Sequence, residues 1–274
     1  MWHGGRVPGR VALLLVAAVA ALAACAPAAA PAPAPTAASA PLTAPPPTPR
    51  PPLPLGPDGT PKVLPTPPEL VDRRLPTADE LPPPADGQFT STVALVPPDV
   101  LARSTWAPDC PVAATDLRYV TVAFHGFDGH PHTGELLLNV SVAAKVAAAF
   151  RDLWDAGFPI ERMRVTSIAE RDAPATGDGN TTGAFVCRPA RGLARWSAHA
   201  YGLAVDVDPF QNPYRSGDRV LPELASAYLD RDHVRPGMIR AGDAVVAAFA
   251  RIGFTWGGTW RSPVDLQHFS ATGD

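Results

Sequence analysis

Charge and cysteine are both scarce in this sequence. Only 18% of its residues are charged and the formal net charge is −3, which excludes a strongly basic nucleic-acid binder. Three cysteines occur in 274 residues and none stands in a CxxC pair, so a metal site built from cysteine is excluded. Internal repeats are absent, and strand and helix signals do not alternate in the βαβ manner that a parallel sheet requires. The one long apolar run, Val11 to Ala24, is too short for a comfortable membrane span and has the length of a secretory core segment.

What is present begins at the N-terminus. Two arginines, the apolar run and then Leu22-Ala23-Ala24-Cys25 resemble the signal and lipobox of bacterial lipoproteins. Residues 1–25 are therefore expected to be a signal peptide ending at Cys25, where a lipid would anchor the chain to the membrane, facing the cell wall. Proline is concentrated next: seventeen of the 35 prolines lie between Ala26 and Pro68. Such a stretch favours an extended polyproline-like chain, so 26–87 is expected to be a disordered tether. Export leaves Cys110 and Cys187 as two thiols in an oxidising compartment, and a disulfide between them is expected.

Residues 88–274 have the composition of one globular domain. "LRYVTVAFHGF" and "TGELLLNVSV", separated by "DGHPH", predict a β-hairpin. Val142, Val146, Phe150 and Leu153 fall on one helical face that Gly157 and Pro159 end. "RMRVTSIAE" reads as a strand and "RDAPATGDGNTTG" as a surface loop. In "GLAVDVDP", Leu203, Val205 and Val207 face one way, and Ala204, Asp206 and Asp208 the other. "AGDAVVAAFARIGF" predicts a helix with an Asp in its first turn and Gly253 at its C-terminal end, and "TWGGTWRSPVDLQHFS" a strand–turn–strand. The expected class is α+β, an antiparallel sheet with flanking helices.

The chemistry lies in "WSAHAYGLAVDVDP" and "DLQHF". His199 and Asp206, seven residues apart, cannot share a face of one strand or one uninterrupted helix, but a turn at Ala200-Tyr201-Gly202 would bring them to one mouth. Asp265 and His268, three apart, share a side if the backbone makes a helical turn there. Two imidazoles and a carboxylate are a standard ligand set for a catalytic zinc ion, and a further carboxylate off the metal suits a general base. No GxSxG elbow surrounds Ser197, which argues against a serine nucleophile. His130 and His132 are expected at a hairpin tip, His125 in the sheet and His233 in a loop.

Ser197, His199, Gly202, Ala204 and Asp206 fill the pattern SxHxxGxAxD, and Asp265, His268 and Phe269 fill an acid–x–x–His–aromatic pattern. In these residues the chain resembles the D-alanyl-D-alanine carboxypeptidase family of zinc peptidases, whose members include vancomycin-resistance D,D-peptidases and L-alanyl-D-glutamate endopeptidases. The resemblance runs over roughly residues 106–270. It implies the zinc D,D-peptidase (hedgehog-like) fold, with one zinc ion held by His199, Asp206 and His268. Asp265 would be the base that deprotonates water, and Arg188 would steady the carbonyl oxygen as it becomes anionic. Ser197 would brace the His199 loop by hydrogen bonding, and Trp260 would either pack in the core or line the cleft. Asp208 would be a hydrogen-bond partner of a ligand histidine or a turn former at the strand end. The D,D-dipeptidases carry Glu at the base position, whereas Asp is familiar in the endopeptidase branch, so the bond cut stays open between D-Ala-D-Ala and L-Ala-D-Glu. The implied partner is a peptidoglycan stem peptide, with no nucleic acid, and the chain is expected to be a monomer. The competing expectations are a catalytically inactive wall-binding module on the same fold and a purely structural lipoprotein.

Overall fold

The computed structural model describes residues 50–273. Its centre is a three-stranded antiparallel sheet, built because the chain alternates with period two. β1 (Ser91–Leu95) leads into a short helix α1 (Pro98–Arg103), then β2 (Leu117–His125) and β3 (Pro131–Asn139), in the spatial order β1-β2-β3. On β2, Val120, Val122 and Phe124 point to one face, joined there by Leu136 and Leu138 of β3. Leu117 and Leu137 point to the other face, where they meet Val165, Phe185, Cys110 and Cys187. The hairpin is thus buried on both sides.

Helix α2 (Ala143–Asp155) closes the first face with Val146, Phe150 and Leu153, all buried, and the chain turns out of it at Gly157, which has φ 64°. A short helix α3 (Ile168–Asp172) follows. Beyond it the chain makes two smaller three-stranded sheets. One has the order β4-β9-β7, from β4 (Ala204–Asp206), β7 (Thr255–Trp256) and β9 (His268–Ser270). The other has the order β6-β5-β8, from β5 (Tyr214–Ser216), β6 (Arg219–Leu221) and β8 (Val264–Asp265). Helix α4 (Ala244–Arg251) packs on α2, with Phe249 edge-on to Phe150 and stacked on Phe269 at 4.2 Å. Mixed helices and antiparallel sheets make this an α+β architecture. Among the described residues no helix is long and apolar enough to cross a membrane.

Four differences from the sequence expectations concern the scaffold. Residues 50–87 are not a tether: Leu70 is buried with Phe210 and Tyr228, Thr66 donates to the Leu224 carbonyl at 2.6 Å, and Arg73 is buried in an ion pair with Glu161. Proline keeps this strap extended, as composition implies, but its leucines and its free donors find partners on the domain. Residues 26–49, the signal segment and Cys25 lie outside the described residues. "RMRVTSIAE" forms only an isolated bridge, Met163 to Thr182, before Ser167 and Glu170 make a capping box that starts α3. The polar loop after α3 is not all surface, since Asn180 and Thr182 are buried. Asp243 stands at the N-cap of α4 rather than in its first turn, accepting from Val246 N–H at 3.0 Å.

Cys110 and Cys187 are joined by a disulfide across 77 residues of sequence. Closing a loop of that length in the unfolded chain is worth about 4 kcal/mol. Reduction is accordingly expected to lower the unfolding free energy by several kcal/mol in urea titrations run with and without reductant. Coincident curves would show that the bridge does not restrain the unfolded chain.

Candidate metal centre

His199 is placed by a local turn that its neighbours dictate. Ser197 caps a 3₁₀ turn over Ala198–Tyr201, its hydroxyl accepting from the His199 N–H. Gly202 ends the turn at φ 69°, a conformation that costs a side chain strain, and a Cβ there would lie 2.6 Å from the Asn139 nitrogen. β4 starts two residues later, with Val205 and Val207 in the main core and Asp206 on the opposite face. One turn of chain thereby spans the seven-residue separation of His199 and Asp206.

His268 arrives across the sheet. It stands directly opposite Asp206 in the β4–β9 register, where side chains of an antiparallel pair are close. The helical turn expected over 265–268 is not there: Asp265 ends β8 and His268 begins β9, two strands of different sheets. Trp256 holds this kink by donating from Nε1 to the Leu266 carbonyl at 2.8 Å.

The three side chains meet at one point. His268 Nδ1 lies 2.9 Å from Asp206 Oδ1, His199 Nε2 lies 3.2 Å from the same oxygen, and the two ring nitrogens are 3.2 Å apart. A tetrahedral zinc ion with bonds of about 2.0–2.1 Å has ligand atoms about 3.3 Å apart, so the triangle has nearly the size of one tetrahedral face. His199 Nδ1 donates to the Ala184 carbonyl, which leaves the Nε2 lone pair free for a cation. Both histidines are buried, while 24% of the Asp206 side chain is exposed, so solvent reaches the triangle from the Asp206 side. Burial opposes the charge of Asp206, but the adjacent His199 and His268 outweigh it and hold the carboxyl well below the usual carboxylate range. Among the described residues this is the cluster with the donor set and spacing for a metal ion.

Asp265 sits beside it without joining the triangle. Burial first, and the charge of Asp206 second, push its carboxyl up to about 7. The Gln267 side chain nearby favours the charged form of the carboxyl, while Oδ1 is buried without a partner among the described residues. Gly257 packs directly on it: a Cβ at 257 would come 2.7 Å from the Asp265 carbonyl oxygen and 3.0 Å from its Cβ. Trp260, half-buried, lies with its ring centroid 5.5 Å from that of His268, at the edge of the site rather than in the core. Arg188 does not touch the triangle. It is half-buried, and although burial and Arg191 work against its charge, Asp206 and Asp265 favour it, which puts its guanidinium within electrostatic reach of both.

One open alternative is resolved and one expectation changes. Asp208 touches neither ligand histidine: it is fully buried, accepts from the Glu161 N–H at 3.1 Å and closes a turn by accepting from the Asn212 N–H at 3.0 Å. Of its two expected roles, the turn former is the one observed. His132 is no hairpin-tip residue but is buried, with its ring nitrogens 2.8 Å from Asp79 and 3.1 Å from Asp128. Sequence reasoning missed Gln267 and Gly257. Their only signal was the double glycine beside two tryptophans and the amide within "DLQHF".

The fold and this site define an α+β domain with a two-histidine, one-carboxylate candidate metal centre and an unligated acid at its rim. Residues 191–271 match the family model of D-alanyl-D-alanine carboxypeptidase, so the C-terminal part of the chain is similar to this family of peptidases. No curated protein and no solved structure gives a significant match. The matched segment contains His199, Asp206, Asp265 and His268, whereas Arg188 and both bridged cysteines lie before it.

In metal-free protein the raised Asp265 carboxyl has a signed consequence. The folded state keeps a proton that the unfolded state releases at the ordinary carboxylate pKa of about 4, so stability falls as pH rises from about 4 to 7. Asp208, buried and also raised, acts in the same direction. Asp265→Asn is expected to make that decline shallower, as read by urea unfolding at several pH values with chelator present. An unaltered slope would show that Asp265 does not hold the proton.

Proposed function

We propose that the protein is a zinc-dependent peptidase that hydrolyses amide bonds in peptidoglycan stem peptides, of the D-Ala-D-Ala carboxypeptidase or L-Ala-D-Glu endopeptidase type, on a D,D-peptidase fold. The observation that carries this reading is the triangle of His199 Nε2, His268 Nδ1 and Asp206 Oδ1, with edges of 2.9–3.2 Å, and the family match over the same residues. Zinc bound there supplies Lewis acidity, which acidifies the attacking water and polarises the scissile carbonyl.

The remaining work falls to the chain. Asp265, packed on Gly257, takes the proton from the attacking water and returns it to the leaving amine, so that no proton is left over at the end of the cycle. Arg188 supplies positive charge near the carbonyl oxygen as it becomes anionic. Trp260 forms one wall of the entrance, and Ser197 keeps the His199 turn in shape. An inactive wall-binding module has no use for an acid with an unsatisfied oxygen beside the triangle. The N-terminal segment would hold this domain at the outer face of the membrane through lipid on Cys25, next to its wall substrate, with the chain acting as a monomer.

The test is mass spectrometry of purified muropeptides incubated with the full chain, with and without chelator. Cleavage that stops on chelation and returns with zinc supports the reading, and the product masses identify the bond. Asp265→Ala is expected to keep zinc and to lose activity by about 10²–10⁴-fold, whereas His199→Ala loses both. Zinc lost together with activity in Asp265→Ala would make Asp265 a ligand instead of a base.

Gly257→Ala makes a separate prediction. The added methyl displaces Asp265 while leaving His199, Asp206 and His268 untouched. Turnover is expected to drop at least tenfold with zinc content unchanged, since small misplacements of a reacting group cost rates of this order. Normal turnover would show that the close packing at Gly257 has no part in placing the base.

A further inference from the structure

β4 is a strand of three residues, and Asp206 is its last. On one side Asp206 is paired with β9. On the other its backbone is held by a single bridge, in which Asp206 N–H donates to Gly183 at 2.9 Å and Gly183 N–H donates to Asp206 at 3.0 Å. So short an edge does not fix a side chain by itself. What stands behind it is a buried polar network that starts in the N-terminal strap.

Arg73 is the strap's contribution. Its guanidinium grips Glu161 through Nε and Nη2, both at 2.7 Å, and its Nη1 donates to the Asp178 carbonyl at 2.8 Å. It also lies over the Phe210 ring, 4.5 Å from the centroid. Glu161 in turn accepts from Asn180 Nδ2 at 2.8 Å, and Asn180 Oδ1 accepts from the Phe210 N–H at 2.8 Å. The Glu161 N–H donates to Asp208 Oδ1, and the Asp208 N–H donates to the Thr182 hydroxyl, both at 3.1 Å. Asp208 itself sits at φ 41°, a backbone conformation that non-glycine residues adopt only when their surroundings enforce it. Every member of this chain is buried: Arg73, Glu161, Asn180, Thr182 and Asp208 are each at most 5% exposed. The network ends on Thr182 and Asp208, which flank the Gly183–Asp206 bridge on both strands.

We infer that Arg73 is a positioning residue for the metal ligand Asp206, acting through Glu161, Asp208 and Thr182, so that the proline-rich strap is a working part of the metal centre. The inference rests on the metal-binding reading of the site. A bidentate guanidinium in a dry pocket fixes both distance and plane of its carboxylate. Without it Glu161 is a buried, uncompensated charge that must seek water, and the loop that carries Asn180 to Gly183 follows. Lysine at 73 keeps the charge but loses the fork.

The experiment measures zinc affinity by chelator competition, and the visible spectrum of cobalt-substituted protein, for the full chain, Arg73→Lys and Arg50→Ala. Arg50 belongs to the same strap but pairs with Glu69 and Asp178 near the surface. The expected result is a folded Arg73→Lys that binds zinc about tenfold more weakly, in line with the loss usual for groups that orient a ligand, and whose cobalt bands are shifted. Arg50→Ala should match the unaltered protein in both. A folded Arg73→Lys with unchanged affinity and unchanged cobalt bands overturns the inference, since a purely structural brace would leave the ligand field alone. Should Arg73→Lys not fold, Glu161→Gln, which keeps the shape and the backbone N–H to Asp208, takes its place with the same two outcomes. Failure of the unaltered protein to bind zinc or cobalt removes the metal reading and this inference with it, and is thus distinguishable from failure of the Arg73 relay alone.

Discussion

A carboxylate oxygen pressed between two imidazole nitrogens governs this domain. Asp206 Oδ1 has ring nitrogens at 2.9 and 3.2 Å, and both rings are buried. Taking charged or polar groups out of water costs several kcal/mol unless something pairs with them. The protein answers with fixed geometry. One ring is set by the Ala184 carbonyl, the other by the strand register opposite Asp206, and the donors so aimed leave three lone pairs converging on one point. A divalent cation would satisfy all three at once.

That convergence asks for backbone that ordinary residues do not provide, and for an underlayer that does not move. Gly202 lets the chain reverse between His199 and β4 within van der Waals reach of Asn139. The underlayer is the main core: Val205, Val207 and Phe269, neighbours of the ligands in sequence, are all fully buried against the α2 and α4 side chains. Each such side chain contributes about 1.5–3 kcal/mol by leaving water, so the ligand strands are held by burial on one face while their polar groups face the site on the other. The alternation of β4, apolar inward and acid outward, is what lets three residues serve both purposes.

Much of this was legible in the sequence, and the rest failed for identifiable reasons. The turn between His199 and Asp206 follows from their spacing and from glycine at 202, and the core faces of the hairpin and of α2 follow from period two and period 3.6. The strap was illegible because proline content reports that a chain is extended, not what it lies against; Arg73 finds Glu161 across 88 residues, a pairing no local pattern contains. The helical turn expected over 265–268 lost to another pairing distant in sequence, Tyr214 with Asp265. His132 looked like a turn residue because "DGHPH" is turn-like, yet its partner Asp79 comes from the strap and pulls it inward. The largest of these misses concern long-range contacts that replaced a local preference.

The division of labour between the two acids can be argued from their surroundings alone. Asp206 and Asp265 are the same residue type close enough to sense each other's charge, and their environments push them in opposite directions. Two imidazoles keep Asp206 ionised, while burial and the charge of Asp206 itself keep Asp265 protonated to about pH 7. A group whose affinity for protons is high near neutral pH is suited to accept one from water and release it again, and a group held ionised at neutral pH is suited to hold a cation. A cation in the triangle adds positive charge beside Asp265 and draws it back toward the ionised form, which is the form a base must be in before the reaction starts. The same electrostatics that suit Asp206 to hold a cation therefore suit its neighbour to act as a base, and exchanging the two roles would require moving both imidazoles.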